Sequence, residues 1–263
     1  MNILDTIIAH KKNEVAKAKA QKSILELEQM PFFSKPTLSL KKFLLDDTTT
    51  GIIAEYKRQS PSKGIINATA TVEEVTAAYA KYGASGISVL TDNHFFGGSL
   101  DDLLKATNNE VPLLRKDFMI DEYQFIEAKA HGAEVVLLIA ACLSPKEVKH
   151  FATVAKNLGL EVLLEIHNEQ ELEHICDAVD LVGVNNRNLK NFIVNIEASI
   201  QLIKQIPNSK VAIAESGISN TDTIVTLRQA GFRGFLIGEN FMKQPQPAIA
   251  FADFVTELKT KLT

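Results

Sequence analysis

Several short apolar runs of this chain end in charged residues whose types can exchange protons. Glu55 and Lys57 end one run, Lys116 follows a second, and Glu165 ends a third. A carboxylate behind an apolar run is costly to bury alone, so these groups are expected to pair with one another. Lysines and carboxylates that share a partly closed cavity shift each other's pKa and support proton transfer in both directions. The set predicts acid–base catalysis. A structural Glu55–Lys57 ion pair, or a wider structural salt-bridge network, is the alternative.

A fourth run ends in Asn185-Asn186-Arg187, which adds neutral and cationic hydrogen-bond donors. Residues two apart on a strand share a face, so Asn185 and Arg187 are expected to point the same way. An amide and a guanidinium suit substrate hydroxyls, a carboxylate or a phosphate. An ordinary turn would explain the same residues.

These positions belong to a regular series of β-branched and apolar runs that alternate with helical patterns. The eight runs are 51–56, 86–90, 112–115, 134–140, 160–166, 181–184, 211–214 and 234–237. They recur about every 26 residues, which is the length of one strand, loop and helix. The series predicts parallel βα units.

Eight such units in 263 residues favour one closed (β/α)8 TIM barrel. A doubly wound open sheet is the alternative, and it is disfavoured by the strand count and by the absence of a glycine fingerprint after the first run. Residues 1–47 fall outside the repeat and are predicted to form an N-terminal helical extension, with helices at 3–22 and 39–45, that caps the barrel. Residues 48–263 then form the (β/α)8 core of a single domain.

A barrel of this kind carries its site at the carboxyl ends of the strands. The loops after the seventh and eighth strands commonly bind phosphate through backbone N–H groups, which glycine leaves accessible. Gly217 and Gly238 stand at those two places and predict a phosphate site. Simple turn glycines are the alternative.

Other kinds of site find no support in the sequence. The six histidines lack the spacing of metal ligands, so no metal site is predicted, and they are expected to be surface or loop residues. His167 is the exception that merits a test because it stands beside Glu165. Cys142 and Cys176 are expected to be buried free thiols.

Composition limits the partners of the chain. The formal net charge of −4 and the pI of about 5.9 give no reason to expect binding to nucleic acid or to an anionic membrane. The longest apolar run, 135–143, is too short to span a bilayer, and residues 1–20 do not form a signal peptide. A cytoplasmic monomer is expected.

The motifs that carry these residues resemble one known family. The segment IAEYKRQSPSKG at 53–64 closely resembles the first-strand signature of indole-3-glycerol-phosphate synthases. The likeness continues through LTD at 90–92, RKDF at 115–118, LEI at 164–166, GVNNRNL at 183–189, AESGI at 214–218 and LIGE at 236–239. The resemblance implies conversion of 1-(2-carboxyphenylamino)-1-deoxyribulose 5-phosphate to indole-3-glycerol phosphate, with loss of carbon dioxide and water, in tryptophan biosynthesis.

The resemblance also implies catalytic roles. Lys116 corresponds to the general acid that protonates the sugar carbonyl, and Lys57 to the group that holds the substrate carboxylate and helps to expel the hydroxyl. Glu165 corresponds to the proton-transfer partner in dehydration. Glu55 would fix the lysines and contact sugar hydroxyls, supported by Asn185. No metal or organic cofactor is implied.

The remaining family positions bind the phosphosugar substrate. Arg187 and Glu215 correspond to positions near the substrate. The phosphate region corresponds to Ser60, Ser216, Gly217, Gly238 and Glu239, and the apolar pocket for the arylamine ring to Phe96, Phe118 and Leu137. Barrel packing alone would equally explain Leu137. Two rival functions stay open: a phosphosugar isomerase or epimerase on the same barrel, and a non-catalytic barrel that binds a phosphate ligand.

Overall fold

The computed structural model describes residues 3–187 and 193–262, and its centre is one closed sheet of eight parallel strands. We number them in chain order: β1 Ile52–Tyr56, β2 Gly86–Leu90, β3 Leu113–Lys116, β4 Val135–Ile139, β5 Glu161–Ile166, β6 Leu181–Asn185, β7 Val211–Glu215 and β8 Gly234–Ile237. Each strand pairs with the next, and β8 closes the ring by pairing with β1. This closure confirms the predicted barrel and rules out the open sheet.

The barrel strands alternate with helices on the outer surface. The principal helices between and after the strands are Val72–Lys81, Leu100–Ala106, Tyr123–Ala130, Pro145–Asn157, Ile196–Leu202, Thr221–Gln229 and Pro247–Leu262. Shorter helical pieces are Asn93–Phe96, Ala140–Cys142, Glu169–His174, Ile203–Gln205 and Glu239–Met242. The helix after β4 shows how local sequence sets its ends: Ser144 and Glu147 form a capping box, Pro145 occupies the first turn, and Gly159 follows with a φ of +76°.

Side chains alternate between the inside of the barrel and the layer under the helices. The inner cluster includes Ile53, Leu114, Val135, Leu137, Ile139, Leu163, Leu181, Val211, Ile213 and Leu236. Because these apolar side chains fill the lower barrel, it is a packed core and not a pore. Within the described barrel, the packed interior leaves room for a ligand at the mouth, where the strands end in polar residues.

In the described part of the N-terminal extension, residues 3–47, the helices are Ile3–Gln21, Ile24–Glu28 and Leu40–Leu45. The short middle helix was not predicted; it begins because Ser23 forms a capping box with Glu26. The third helix packs against the floor of the barrel. Leu40 and Leu44 join the inner cluster there, and Leu40 Cδ1 lies 2.6 Å from the point where a Cβ on Gly86 would stand.

The first helix reaches the opposite end of the barrel through a buried lysine. Lys11 is 1% exposed, and its Nζ lies 2.9 Å from Asp92 Oδ2 and 2.8 Å from Asp117 Oδ1. Both aspartates follow the carboxyl ends of strands, β2 and β3. The extension thus contacts the floor of the barrel and also its mouth, next to Lys116.

Two expectations about buried side chains need correction. Cys142 and Cys176 are free, but each is only half-buried because it lies at the edge of the outer core. His174 is buried, with its Nε2 2.9 Å from the carbonyl oxygen of Leu143, so the prediction of surface or loop histidines is wrong for this residue. Among the described residues, no helix is both long and apolar enough to cross a bilayer.

Candidate active site

The first strand places an ion pair at the mouth of the barrel. Glu55 lies on β1 and Lys57 directly follows the strand, and Lys57 Nζ is 2.7 Å from Glu55 Oε1. Ser88 on the neighbouring strand donates a 3.5 Å hydrogen bond to Glu55 Oε2. The pair is therefore supported from β2 as well as from its own strand.

A second group of charges comes from three other strands. Lys116 at the end of β3 has its Nζ 3.6 Å from Glu165 Oε2 on β5 and 4.0 Å from Glu215 Oε2 on β7. Asn185 on β6 donates a 2.9 Å hydrogen bond to Glu165 Oε1. Residues nearly 100 positions apart thus surround one ammonium group.

Burial gives these groups different protonation states. Burial alone would lower the pKa of Lys116, but the neighbouring carboxylates, Glu165 first, outweigh it and raise the pKa above its usual value. Burial would raise the pKa of Glu165, yet Lys116 and His167 hold it well below its usual value. Burial, together with the negative charge of Glu165, raises the pKa of Glu215 to about 8. Near neutral pH the mouth holds an ammonium, a carboxylate and a protonated carboxyl side by side.

The two ion-paired groups act on one another across the mouth. Burial would raise the pKa of Glu55, but the charges of Lys57 and then Lys116 outweigh burial and lower it. Glu165 opposes this change with its own negative charge. The two lysines and the glutamates predicted from scattered strand ends therefore form one electrostatic cluster.

Two glycines, one within β6 and one directly after β8, leave room for this cluster. A Cβ on Gly183 of β6 would lie 2.0 Å from Glu215 Oε1, and a Cβ on Gly238 would lie 2.6 Å from Glu55 Oε1 and 2.9 Å from Glu55 Cβ. Any side chain at either position would displace a carboxylate. Gly238 was predicted from the phosphate motif, and the structure adds this packing reason for it.

The other side of the mouth carries cations around Glu239. Arg187 Nη2 lies 3.7 Å from Glu239 Oε2, and Lys63 Nζ lies 4.0 Å from Glu239 Oε1. Ser216 and Gly217 form a left-handed turn after β7, with φ values of 69° and 73°. This turn presents backbone close to a neighbouring segment, since a Cβ on Gly217 would stand 2.4 Å from Val194 Cγ1.

Aromatic side chains lie beside the charges. The ring centroids of Phe96 and Phe118 are 6.1 Å apart, and both rings are half-buried. Phe118 packs on the inner cluster, to which Leu137 belongs with 1% exposure. Asp92 caps the short helix Asn93–Phe96, which carries Phe96. Because buried Lys11 holds Asp92 in place, the same contact also supports the aromatic pair.

The structure brings most of the predicted site residues together but not all of them. The charged residues and Asn185 come together at the mouth, whereas Ser60 lies on a small antiparallel hairpin, Gln59–Ser60 with Gly64–Ile65, and is half-buried there. Asn188 and Leu189 of the sixth-strand motif lie outside the described residues.

Three residues with polar contacts at the mouth were missed as site residues. Ser88 is a hydroxyl at an inward position of an apolar strand, which the alternation rule could have found. Lys63 lies within the first-strand motif. His167 was singled out only for its neighbour; its side chain is 10% exposed and contacts Glu165 and Glu171, so it is not a surface histidine.

The closed barrel and its mouth of paired lysines and carboxylates define a (β/α)8-barrel enzyme of the acid–base type. The family model described as indole-3-glycerol phosphate synthase matches residues 4–254. The chain belongs to this family of decarboxylating, ring-closing lyases of tryptophan biosynthesis, which confirms the resemblance seen in the motifs.

Relatives match the chain over nearly its whole length. The indole-3-glycerol phosphate synthase of Bacteroides thetaiotaomicron is 47% identical over 259 residues, covering 98% of this chain and 99% of that protein. That of Variovorax paradoxus is 41% identical over 261 residues, covering 95% and 98%. Among solved structures, the tryptophan synthase alpha subunit of Legionella pneumophila str. Paris has a TM-score of 0.63 at 12% identity, over 85% of this chain and 97% of that one. The last likeness shows the barrel fold alone.

Proposed function

We propose that this chain closes the indole ring of 1-(2-carboxyphenylamino)-1-deoxyribulose 5-phosphate, yielding indole-3-glycerol phosphate, carbon dioxide and water. Family membership supports the overall reaction. The observation that carries the assignment of roles is the position of Lys116, 3.6 Å from Glu165 and 4.0 Å from Glu215. One ammonium between two carboxyl groups of opposite protonation state is suited to reversible proton transfer.

Ring closure begins when the aromatic carbon that bears the carboxylate attacks the sugar carbonyl. Negative charge then develops on the carbonyl oxygen, and the Lys116 ammonium stabilises and protonates it. Such general-acid assistance contributes about 10²–10⁴ in rate. The raised pKa of Lys116 keeps its proton in place until an alkoxide, which is a stronger base than an amine, has formed.

Loss of carbon dioxide follows because it restores the aromaticity of the ring. Lys57 holds the substrate carboxylate until the new carbon–carbon bond has formed. Its 2.7 Å contact with Glu55 fixes the ammonium group at the mouth before substrate binds. Pre-organised charge of this kind costs no rearrangement during the reaction.

Dehydration requires an acid for the departing hydroxyl and a base for the carbon proton. Lys57 helps to expel the hydroxyl, and Glu165 accepts the carbon proton. The lowered pKa of Glu165 keeps this carboxylate ionised at neutral pH. Glu55 holds Lys57 and contacts sugar hydroxyls, while Asn185 orients Glu165 through its 2.9 Å hydrogen bond. These steps use side chains of this chain alone, without metal or cofactor.

Substrate binding divides the mouth into two ends. The phosphate binds near Arg187, Glu239 and the backbone of the two glycine loops, with Lys63 as a further cation. The residues proposed for this end are Ser60, Ser216, Gly217, Gly238 and Glu239. Arg187 and Glu215 are proposed to lie near the substrate, Arg187 beside Glu239 and Glu215 beside Lys116. Phe96 and Phe118 hold the arylamine ring above Leu137, which forms the floor of that pocket.

The wider setting of the protein follows from the same reasoning. We propose that residues 1–47 and 48–263 form one domain, and the packing of Leu40 and Leu44 on the barrel core supports this. We expect a monomer in the cytoplasm. The formal charge of −4 argues against nucleic acid as a partner.

The test is a turnover assay with the synthetic arylamino sugar phosphate, in which the ultraviolet absorbance of the indole product is followed. Lys116→Met should abolish detectable indole formation while the variant stays folded by circular dichroism. Lys105→Met is the matched control, since Lys105 is 44% exposed and paired with Asp101 away from the mouth. Absence of turnover by the wild-type protein would overturn the proposed function. Near-normal turnover by Lys116→Met would remove that residue from the mechanism.

A further inference from the structure

His167 follows the last residue of β5 and lies between two carboxylates. Its Nε2 is 3.1 Å from Glu165 Oε1, and its Nδ1 is 3.2 Å from Glu171 Oε2. The backbone N–H of His167 also donates a 2.7 Å hydrogen bond to Glu171 Oε2, which fixes Glu171 in place. The imidazole is 10% exposed, so water does little to screen these contacts.

Both ring nitrogens lie within ion-pair distance of a carboxylate oxygen, which favours a doubly protonated ring. A neutral imidazole has one donor and one acceptor nitrogen, and the acceptor would then face a carboxylate oxygen. Only the imidazolium donates at both nitrogens. Burial would lower the pKa of His167, but its hydrogen bonds to Glu165 and Glu171 outweigh burial and raise the pKa to about 10.

The two oxygens of Glu165 have different partners. Oε1 faces His167 at 3.1 Å and receives the hydrogen bond from Asn185, whereas Oε2 faces Lys116 at 3.6 Å. Because Oε1 accepts from Asn185 and faces the His167 ring, Oε2 is the oxygen left for proton exchange. The carboxylate cannot rotate to exchange the two oxygens without breaking both contacts.

We propose that His167 is a positioning residue that bridges Glu165 and Glu171 and directs Glu165 Oε2 toward the reacting groups. It does not contact the substrate; it fixes the orientation and the charge of the carboxylate that does. The inference rests on the proposed role of Glu165 in dehydration. Glu171, on the 3₁₀ segment Glu169–His174, is then the anchor of the imidazolium.

The pH dependence follows from the charges around the ring. Removal of His167 takes away a positive charge and a donor that lower the pKa of Glu165, so this pKa must rise. Because Glu165 works as an ionised base, activity at acidic pH should then fail at a higher pH than in the wild type. The other titratable groups near His167 and Glu165 are Glu171, Lys116, Glu215 and Cys142. Burial and the nearby carboxylates raise the pKa of the Cys142 thiol to about 12.

The experiment compares His167→Ala and His167→Gln with the wild type in the same turnover assay, from the lowest pH at which the proteins stay folded up to pH 9, because the lowered pKa of Glu165 places the wild-type acidic limb at low pH. Loss of the acid–base group itself costs about 10²–10⁴, so loss of the residue that orients it should lower kcat by about tenfold or more. KM should stay within about twofold, because His167 does not contact substrate. The acidic limb of the pH profile should move to higher pH. His167→Gln keeps an amide donor for Glu165 and should recover part of kcat without restoring the limb.

His150→Ala is the matched control. His150 also contacts one carboxylate, Glu122, at 2.7 Å, but both side chains are more than half exposed and lie outside the mouth. This variant should keep the wild-type kcat and pH profile. A histidine that served stability alone would lower the melting temperature without moving the acidic limb.

The outcomes separate the inference from the function on which it rests. A wild-type protein without turnover overturns both. Wild-type turnover together with His167→Ala activity within about twofold, or with an unmoved acidic limb, overturns only the inference. If His167→Ala fails to fold, His167→Gln and Glu171→Gln decide: an acidic limb that moves in both supports the proposal, and wild-type profiles overturn it.

Discussion

Replacement of Gly183 by alanine should damage catalysis through a single carboxylate. The added Cβ would stand 2.0 Å from Glu215 Oε1 and 3.1 Å from its Cδ, whereas ordinary contacts begin at 3.4 Å. Gly183 lies in the interior of β6, where the backbone has neighbours on both sides and cannot retreat. The flexible end of Glu215 must therefore move.

The size of the effect follows from that displacement. The Glu215 carboxylate must shift by about 1 Å, and a misplacement of this size can cost about a hundredfold in rate. The shift also alters the 4.0 Å contact between Lys116 and Glu215. Overpacking typically costs about 1–3 kcal/mol of unfolding free energy, so the variant should still fold.

A double-mutant cycle tests the cause. Gly183→Ala should lower kcat/KM by about a hundredfold in the wild-type background but by less than about twofold in a Glu215→Ala background, where the clashing group is absent. Urea unfolding of all four proteins measures the cost in stability. An equal loss in both backgrounds would show that the damage does not pass through Glu215 and would refute the steric argument.

Two further predictions concern stability. Burial raises the pKa of Glu215 to about 8, so the protonated carboxyl stabilises the folded state at acidic pH. This contribution declines above about pH 4.5 and is lost as the pH rises through about 8. Thermal melts should therefore show the wild type losing stability relative to Glu215→Gln between pH 5 and pH 9, and parallel curves would contradict this. Lys11→Met removes the buried cation between Asp92 and Asp117, leaves Asp117 with Arg115 alone, and should cost about 3–5 kcal/mol of unfolding free energy in urea. Lys19→Met, which removes a 47% exposed partner of a surface aspartate, should cost about 1 kcal/mol or less, and equal losses would show that burial of the ion pair is unimportant.

The sequence was sufficient to predict the order of the barrel strands. Strands of a parallel barrel are buried on both faces, so each appears as a short apolar run that local composition reveals. All eight runs became strands, and the length of the repeat agreed with one βα unit. The charges at strand ends, such as Glu55 and Glu165, were also visible locally, because a charge directly after an apolar run needs a specific partner.

Only the tertiary structure decided which groups meet. That Lys57 pairs with Glu55, while Lys116 lies between Glu165 and Glu215, depends on how the strands are staggered around the closed sheet. No local pattern contains that stagger, because it joins residues up to about 100 positions apart.

The same reason explains what the sequence left hidden. Gly183 is an ordinary strand glycine until barrel closure brings Glu215 against it, and Lys11 is one lysine among many on an N-terminal helix until that helix packs on the ends of β2 and β3. Local sequence determined the kinds of chemical group and the strand ends that carry them. The packing of distant segments determined their partners and burial, and therefore their charge states, because solvation and Coulomb energies depend on distances in space.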